Sequence, residues 1–443
     1  MLTKKQLIVI GLIIIAAIVI AGGYYYYTTL IAPPTPIEIK IGLIFPLSGP
    51  YATGPDMGAD AYLAAKIAID MINERGGVLG KYPVKYWEGD DRGEAEAGAS
   101  EAERLISLYG VQVIIGSWHS DATMAIGEVC ERYGVVNWVP VAVSEAITRR
   151  GYKYVFRPSP DSAQQVYPII DMVAENVDKL GKPLNELRMA IIHEDGAYGT
   201  GCADAAERRA KELGIPVVFR ESYYAKATDL SSLILKLKEV NPDILFHSCR
   251  PPDAILFIKQ ARDLGLTVKA YITAGPAFTC YATYKALGPS VEYTPAAAFI
   301  TVRSDSKLLT WLDPEVAAAC REFIRRFTEI RGYEPIGSSY SSFGSTWILL
   351  TDIIPRAINK YGSVDPDSLV KAILETDLPA EKCPMGFRVK FYPPGHPNAG
   401  QNMYARGGVL EYIEGKLYNV WPPEYADKPL VFPLPQGHPL APP

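Results

Sequence analysis

From Ile39 onward the chain alternates short apolar runs with longer amphipathic stretches. Ile39–Phe45 is apolar except for Lys40 and Gly42, the pattern of a strand buried on both faces. After a Ser-Gly-Pro loop, Ala59, Leu63, Ile67 and Met71 fall four apart, with Ala64, Ala68 and Ile72 beside them. That spacing predicts a helix with one apolar stripe facing a sheet. Gly76-Gly77 predicts its end, because glycine accepts the left-handed backbone that caps a helix. Strand, short loop and helix in this order place unpaired backbone N–H groups over the carboxyl edge of a sheet. Such an edge suits a small polar ligand.

The alternation persists. Strands are predicted at 84–88, 111–116 and 135–141, with helices at 94–109 and 122–133. A second set has strands at 188–193, 217–223, 243–248 and 269–273, and helices at 199–213, 230–240 and 253–264. Apolar strands separated by helices indicate parallel sheets covered on both faces. The fold class is therefore α/β, two doubly wound parallel-sheet lobes joined by a multi-strand hinge and preceded by one N-terminal transmembrane helix. The chain passes to the second lobe at 154–158, returns at 296–302, and adds helices at 314–330 and 338–361 to the first. A last passage near 383–391 leads into terminal strands. The expected divisions are 1–37 (anchor or signal, and linker), 38–158 (first lobe), 159–298 (second lobe), 299–384 (first lobe again) and 385–443 (completion of the second lobe and a Pro-rich tail). Segments crossing between lobes imply a hinge that closes on a ligand.

The ends add a membrane. Lys4-Lys5 precede an apolar run from Leu7 to Ala21, extended by Gly22-Gly23 and the tyrosines 24–27. The run approaches the roughly 20 residues of a spanning helix, and tyrosine suits the interface. The lysines place the N-terminus in the cytoplasm and the rest outside; a cleaved signal peptide is the other reading. No cysteine follows the run, so a bacterial-type lipid anchor is excluded. Ala32-Pro33-Pro34-Thr35-Pro36 reads as a stiff spacer, and the Pro-rich tail 422–443 as a second extended segment. The remaining length exceeds one ordinary core, so two domains are expected. A net charge of −5 without a basic, aromatic-rich patch argues against nucleic acid. The six cysteines are scattered without a Cys-x-x-Cys pair; outside the cell they are free to pair, but spacing does not say how.

Three pieces in order resemble one family: Pro46-Leu47-Ser48-Gly49-Pro50, then Ile72-Asn73-Glu74-Arg75-Gly76-Gly77-Val78-Leu79-Gly80, then Gly89-Asp90-Asp91. They are similar to the opening of the leucine/isoleucine/valine-binding family of ABC-transporter solute-binding proteins. The resemblance extends to the terminal strands and implies a type I periplasmic-binding-protein fold, no enzyme activity and no cofactor. It also implies a small polar ligand, either an amino acid, an amide or a related carboxylate, and a permease that receives it.

The resemblance also implies where the ligand sits. Gly116-Ser117-Trp118-His119-Ser120-Asp121 spans a strand end and a helix start; there the family holds a ligand carboxylate, which gives Ser120 that role, Trp118 a place in the cleft wall and His119 a place beside them. A helix cap for Ser120 and a core position for Trp118 are the alternatives. In Val141-Ala142-Val143-Ser144 the family commonly has threonine at position 143, so here the hydroxyl is absent or shifted to Ser144, and the backbone of Val141 and Ala142 remains. Tyr198, in a Tyr-Gly turn, faces the ligand or simply packs. Arg250 attracts a second anionic group or forms a salt bridge across the closed cleft. Gly275 stands where amino-acid-binding relatives often carry an acid for the α-ammonium; Glu194, Asp195 and Asp121 are the replacements.

Other classes fare worse. His119, His193 and His247 end strands, but their spacing matches no metal site, and none is expected. Gly196-Ala197-Tyr198-Gly199-Thr200-Gly201 has the wrong glycine order for a dinucleotide loop, and no nucleophile elbow occurs. A ligand-sensing ectodomain that presents its small molecule to a separate receptor is the stronger rival.

Overall fold

The computed structural model describes residues 4–26, 37–52 and 54–443. The expected spacer at 32–36 lies outside the described residues. Lys4–Tyr26 forms one helix, and its stretch Lys4–Gly23 is long and apolar enough to cross a membrane, with a mean hydropathy of 2.7. Residues 39–443 form a separate compact unit.

Two sheets organise that unit. The first contains β1 (Ile39–Phe45), β2 (Val84–Asp90), β3 (Val113–Gly116), β4 (Val136–Trp138) and β5 (Val155–Phe156), all parallel, in the order β2-β1-β3-β4-β5. The second contains β6 (Met189–Glu194), β7 (Val217–Tyr223), β8 (Ile244–Ser248), β9 (Ala270–Ala274) and β10 (Ala296–Ala298), with the same internal order 2-1-3-4-5. Beyond β10, β11 (Gly408–Ile413) and β12 (Lys416–Trp421) add an antiparallel edge hairpin. The architecture is that of two doubly wound α/β lobes. In each, the strand order reverses beside the first strand, which opens a crevice at the carboxyl edge between β1 and β3 and between β6 and β8.

The apolar runs account for the cores. Ile41, Leu43, Ile44 and Phe45 are buried in the first lobe, and Ile191, Ile192, Leu245 and Phe246 in the second. The helix Gly58–Glu74 follows β1 with Ala61, Ala64, Ala65 and Ala68 buried. Past its end Gly77 takes φ +87°, and a Cβ there would lie 2.3 Å from the Tyr82 carbonyl oxygen, so only glycine fits. β4 is shorter than its apolar run, because Pro140 has no amide to continue the ladder. The helix expected at 338–361 is real but interrupted: Gly337–Ile348 passes through a π-helical turn, Leu349–Ile353, into Ile354–Tyr361.

The Pro-rich tail has no helix or strand, and it is docked on the second lobe. Leu434 N donates to the Lys269 carbonyl at 2.9 Å and Val268 N to that of Leu440 at 2.8 Å, and Leu434 and Leu440 join the second lobe's apolar core. Burying leucines outweighs the lack of regular secondary structure. All six cysteines are buried and unpaired.

The chain crosses between the sheets after β5 and after β10, and a third segment returns beside the first. Arg157 N donates to Gly400 O at 2.9 Å and Asn402 N to Arg157 O at 3.0 Å. The fully buried Arg157 side chain ties the crossings together. Its Nε bonds Gln401 Oε1 at 2.5 Å, and its Nη1 bonds the carbonyls of Ala142 at 3.0 Å and Ser144 at 2.7 Å.

Candidate functional site

A narrow cleft lies between the carboxyl edges of the two sheets. The first lobe contributes Asp56, Trp118, Ser120, Val141, Val143 and Ser338; the second contributes Gln165, Tyr198, Arg250, Gly275, Pro276, Ala298 and Phe299. These positions follow strand ends at the two crevices that the 2-1-3-4-5 order creates.

On the first lobe, Ser120 begins the helix Ser120–Tyr133, and no side chain caps that helix from His119. Ser120 Oγ accepts from Ser144 N at 3.4 Å and borders the cleft. The partial positive charge of the helix end and this hydroxyl together favour an anion. Trp118 stacks on Tyr51 with centroids 5.9 Å apart, and its indole N–H donates to Asp56 O and to Ser338 Oγ, both at 3.1 Å. His119 is not among the residues lining the cleft and packs on Tyr51, 5.2 Å between ring centroids. Burial, assisted by the Arg250 cation, holds its pKa well below the ordinary value, so it is neutral near pH 7.

Val141 and Val143 line the cleft, whereas Ala142 and Ser144 do not. The reason is the alternation along an extended segment: the carbonyls of Ala142 and Ser144 point back to Arg157. The hydroxyl expected at Ser144 is therefore behind the wall, and the wall facing the cleft is aliphatic.

On the second lobe, Arg250 is 4 % exposed and its guanidinium lies 4.9 Å from the Tyr198 ring, 5.1 Å from Tyr51 and 5.4 Å from Trp118. Rings from both lobes thus enclose one cation. Its ion-pair partner is Glu194 at 3.6 Å, from the same lobe rather than across the cleft. Burial opposes the charge most strongly, but Glu194, Tyr51, Tyr198 and Asp121 together more than compensate, and the Arg250 pKa stays above its ordinary value. Glu194 in turn accepts from Gly196 N at 2.6 Å and Gly199 N at 2.8 Å, which fixes the turn before the helix Ala197–Glu212. Asp195 accepts from Ala225 N at 3.0 Å, and Asp121 lies 3.5 Å from His119. None of these three acids lines the cleft.

Gly275 explains its own departure from an acid. Its φ is +68°, and a Cβ there would sit 1.8 Å from Tyr198 Oη. With the tyrosine in place no side chain fits at 275. The acid that does border the cleft is Asp56, held at φ +69°. Its carboxylate accepts from Ser338 N and Ser338 Oγ, each at 2.6 Å, and from Thr279 Oγ1 of the second lobe at 2.8 Å. Burial pushes its pKa up to about 7, partly offset by those Ser338 and Thr279 bonds.

Asp56, Ser338 and Gln165 were not legible as site residues. Asp56 stands just before a helix, where an acid reads as a cap. Ser338 lies in a serine-rich helical stretch. Gln165 follows Gln164, which completes a capping box with Asp161. His247 is placed in the second lobe's core, 2.8 Å from both Tyr223 Oη and Tyr271 Oη, and burial lowers its pKa to about 3.

A sequence profile of the periplasmic binding protein family matches residues 38–406. The chain belongs to that family. This periplasmic binding protein is 31 % identical over 395 residues to a Leu/Ile/Val-binding protein homolog 7 of Brucella abortus, covering 88 % of this chain and 93 % of the relative. In fold it is similar to a leucine binding protein from Thermotoga maritima, with a TM-score of 0.68, 21 % identity, and coverage of 86 % of this chain and 97 % of that one. It is also similar to a solute binding protein from R. palustris in complex with 4-hydroxybenzoate, at a TM-score of 0.66, 20 % identity, and 86 % and 95 % coverage. The family consists of solute-binding proteins rather than enzymes.

Proposed function

We propose that this protein captures a small carboxylate between its lobes on the outer face of a membrane and delivers it to an ABC permease. The carboxylate sits on Ser120 and the first turn of Ser120–Tyr133. The body of the ligand lies against Val141, Val143, Ala298 and Phe299, between the rings of Trp118 and Tyr198. A ligand touching both lobes shifts the open–closed equilibrium by its differential affinity for the closed form. The lobe boundaries follow the two sheets, and the N-terminal helix serves as anchor or signal.

The observation that carries the choice of ligand is Gly275 packed against Tyr198 Oη. No acid can stand there to receive an α-ammonium. The carboxylate of Asp56 already accepts from Ser338 and Thr279, and at a pKa of about 7 it is largely protonated in mildly acid solution. Burying an ammonium without an ionised partner costs several kcal/mol. The reading therefore favours a carboxylate without an α-amino group, whereas relatives described as leucine-binding take the amino acid.

Thermal-shift and calorimetric titration with hexanoate, benzoate, leucine and glutamine test this. The expected result is a raised melting temperature with one or more of the plain carboxylates and none with the amino acids. Stabilisation by leucine alone would overturn the choice, and stabilisation by none of the four would overturn the carboxylate itself.

A further inference from the structure

The second-lobe wall of the cleft carries polar atoms that the fold leaves unused. Arg250 Nη2, Tyr198 Oη and Gln165 Oε1 are all buried and have no hydrogen-bond partner in the protein. All three residues border the same cleft. Gln165 is 2 % exposed, on the helix Ser162–Glu175, and Arg250 and Tyr198 are 4 % and 6 % exposed. Buried polar groups are almost always bonded, so three together in one ligand cleft mark what the ligand must supply. The neighbouring Gln164, by contrast, uses both ends of its amide, with Asp161 N and Asn402 O.

We infer that the ligand carries, away from its carboxylate, a neutral hydroxyl-type group that accepts from Arg250 and donates to Gln165, and that Gln165 is the residue that selects it. The chemistry of the three atoms limits the choice. Arg250 Nη2 can only donate, Gln165 Oε1 can only accept, and the Tyr198 hydroxyl does either. One group that both accepts and donates satisfies the set. A second carboxylate does not, because it offers no proton to Gln165. The Arg250 charge is moreover already met by Glu194 at 3.6 Å. An amide oxygen satisfies Arg250 but places no donor on the same atom. The wall formed by Val141, Val143, Ala298 and Phe299 bonds nothing through its side chains, while Asp56, Ser338 and Trp118 already bond one another, so the body of such a molecule is apolar. A site built to bond a hydroxyl rejects the analogue lacking it, because its own buried groups are then left unpaired.

This inference rests on the carboxylate reading, and the test separates the two. The full chain, reconstituted in lipid nanodiscs, is titrated calorimetrically with matched pairs: benzoate and 4-hydroxybenzoate, hexanoate and 6-hydroxyhexanoate. The methyl ether 4-methoxybenzoate, which accepts but does not donate, is the third arm. The hydroxylated member of a binding pair should bind at least tenfold more tightly than its partner, and the ether should lose that gain. In Gln165→Leu the ratio should fall below threefold. Equal affinities within a pair, or an unchanged ratio in Gln165→Leu, would overturn the inference and leave the carboxylate reading standing. Binding of neither member of any pair would overturn both. If Gln165→Leu does not fold, the hydroxyl and ether arms on the unaltered chain decide alone: an ether as tight as the phenol would show that no donor is read.

Discussion

The hinge and the cleft each bury an arginine and treat it in opposite ways. Arg157 at the hinge places its donors on neutral oxygens: Gln401 Oε1, the carbonyls of Ala142 and Ser144, and the Thr148 hydroxyl at 3.3 Å. Arg250 in the cleft has three rings around it and its Nη2 lies 3.6 Å from Glu194 Oε1, an ion pair too long for a hydrogen bond, so that nitrogen makes none in the protein. A buried cation whose every nitrogen donates to the fold is part of the framework, because removing it orphans every acceptor it served. A cation whose charge is balanced but whose donor is spare suits a partner that comes and goes. Completeness of bonding, rather than burial or charge, distinguishes these two arginines.

Arg157→Met breaks the framework side of this comparison and should have the largest effect. It leaves two carbonyls and Gln401 without their donor and should cost on the order of 3 kcal/mol or more of unfolding free energy. Urea denaturation followed by circular dichroism measures it. An unchanged midpoint would mean that the crossings hold together without the clasp, and the contrast between the arginines would lose its structural half.

Arg250→Met probes the other half, paired with Glu194→Gln so that no bare carboxylate stays buried beside it. The double variant should lose less stability than Arg157→Met. Its affinity for a hydroxylated carboxylate should fall at least tenfold, about 1.4 kcal/mol. Tight binding with a collapsed melting temperature would reverse the roles assigned to the two residues.

The sequence shows why the two regions differ in legibility. Apolar runs and glycine stops were enough to read β1, the helix Gly58–Glu74 and the alternation through both sheets, since each is a local pattern with one period. Strand-end residues such as Trp118, Ser120, Val141, Tyr198 and Arg250 were readable because the topology brings strand ends to one edge. Asp56 and Ser338 were not, since their meeting depends on a contact between residues 282 positions apart. The direction of alternate carbonyls at Ala142 and Ser144 was equally hidden, because it depends on where Arg157 ends up.

The cleft should also respond to pH where the hinge does not. Asp56 is pushed up to about 7 by burial, while an unfolded aspartate titrates near ~3.9. A folded state that holds the proton more tightly is most favoured when the proton is present. The contribution of this group is thus full below about pH 4 and is lost as pH rises through about 7, at a slope of up to about 1.4 kcal/mol per pH unit. Arg157, lowered to about 10 by burial, stays charged throughout that window. Asp56→Asn keeps an acceptor for Ser338 and turns a donor toward Thr279, so it should fold. Urea midpoints at pH 5 and pH 7 should decline more for the unaltered chain than for this variant. Parallel declines would place the titrating group elsewhere.

Ser120 and Ser144 give the finest division between the two regions, since they touch each other but belong to opposite sides. Ser144 N lies 3.4 Å from Ser120 Oγ, while the Ser144 carbonyl belongs to Arg157. Ser120→Ala removes the hydroxyl that borders the cleft at a helix start, with a loss of about 1 to 1.5 kcal/mol in carboxylate binding, roughly a tenfold rise in Kd. Its effect should be the same for a hydroxylated acid and its plain counterpart, because the carboxylate is common to both. Ser144→Ala leaves the backbone carbonyl on Arg157 and no changed atom in the cleft wall, so affinity should stay within twofold. Calorimetry on the two variants with the same acid measures the difference. Equal losses at Ser120 and Ser144 would mean that the loop answers as one unit and that the wall between hinge and cleft does not run between these two serines.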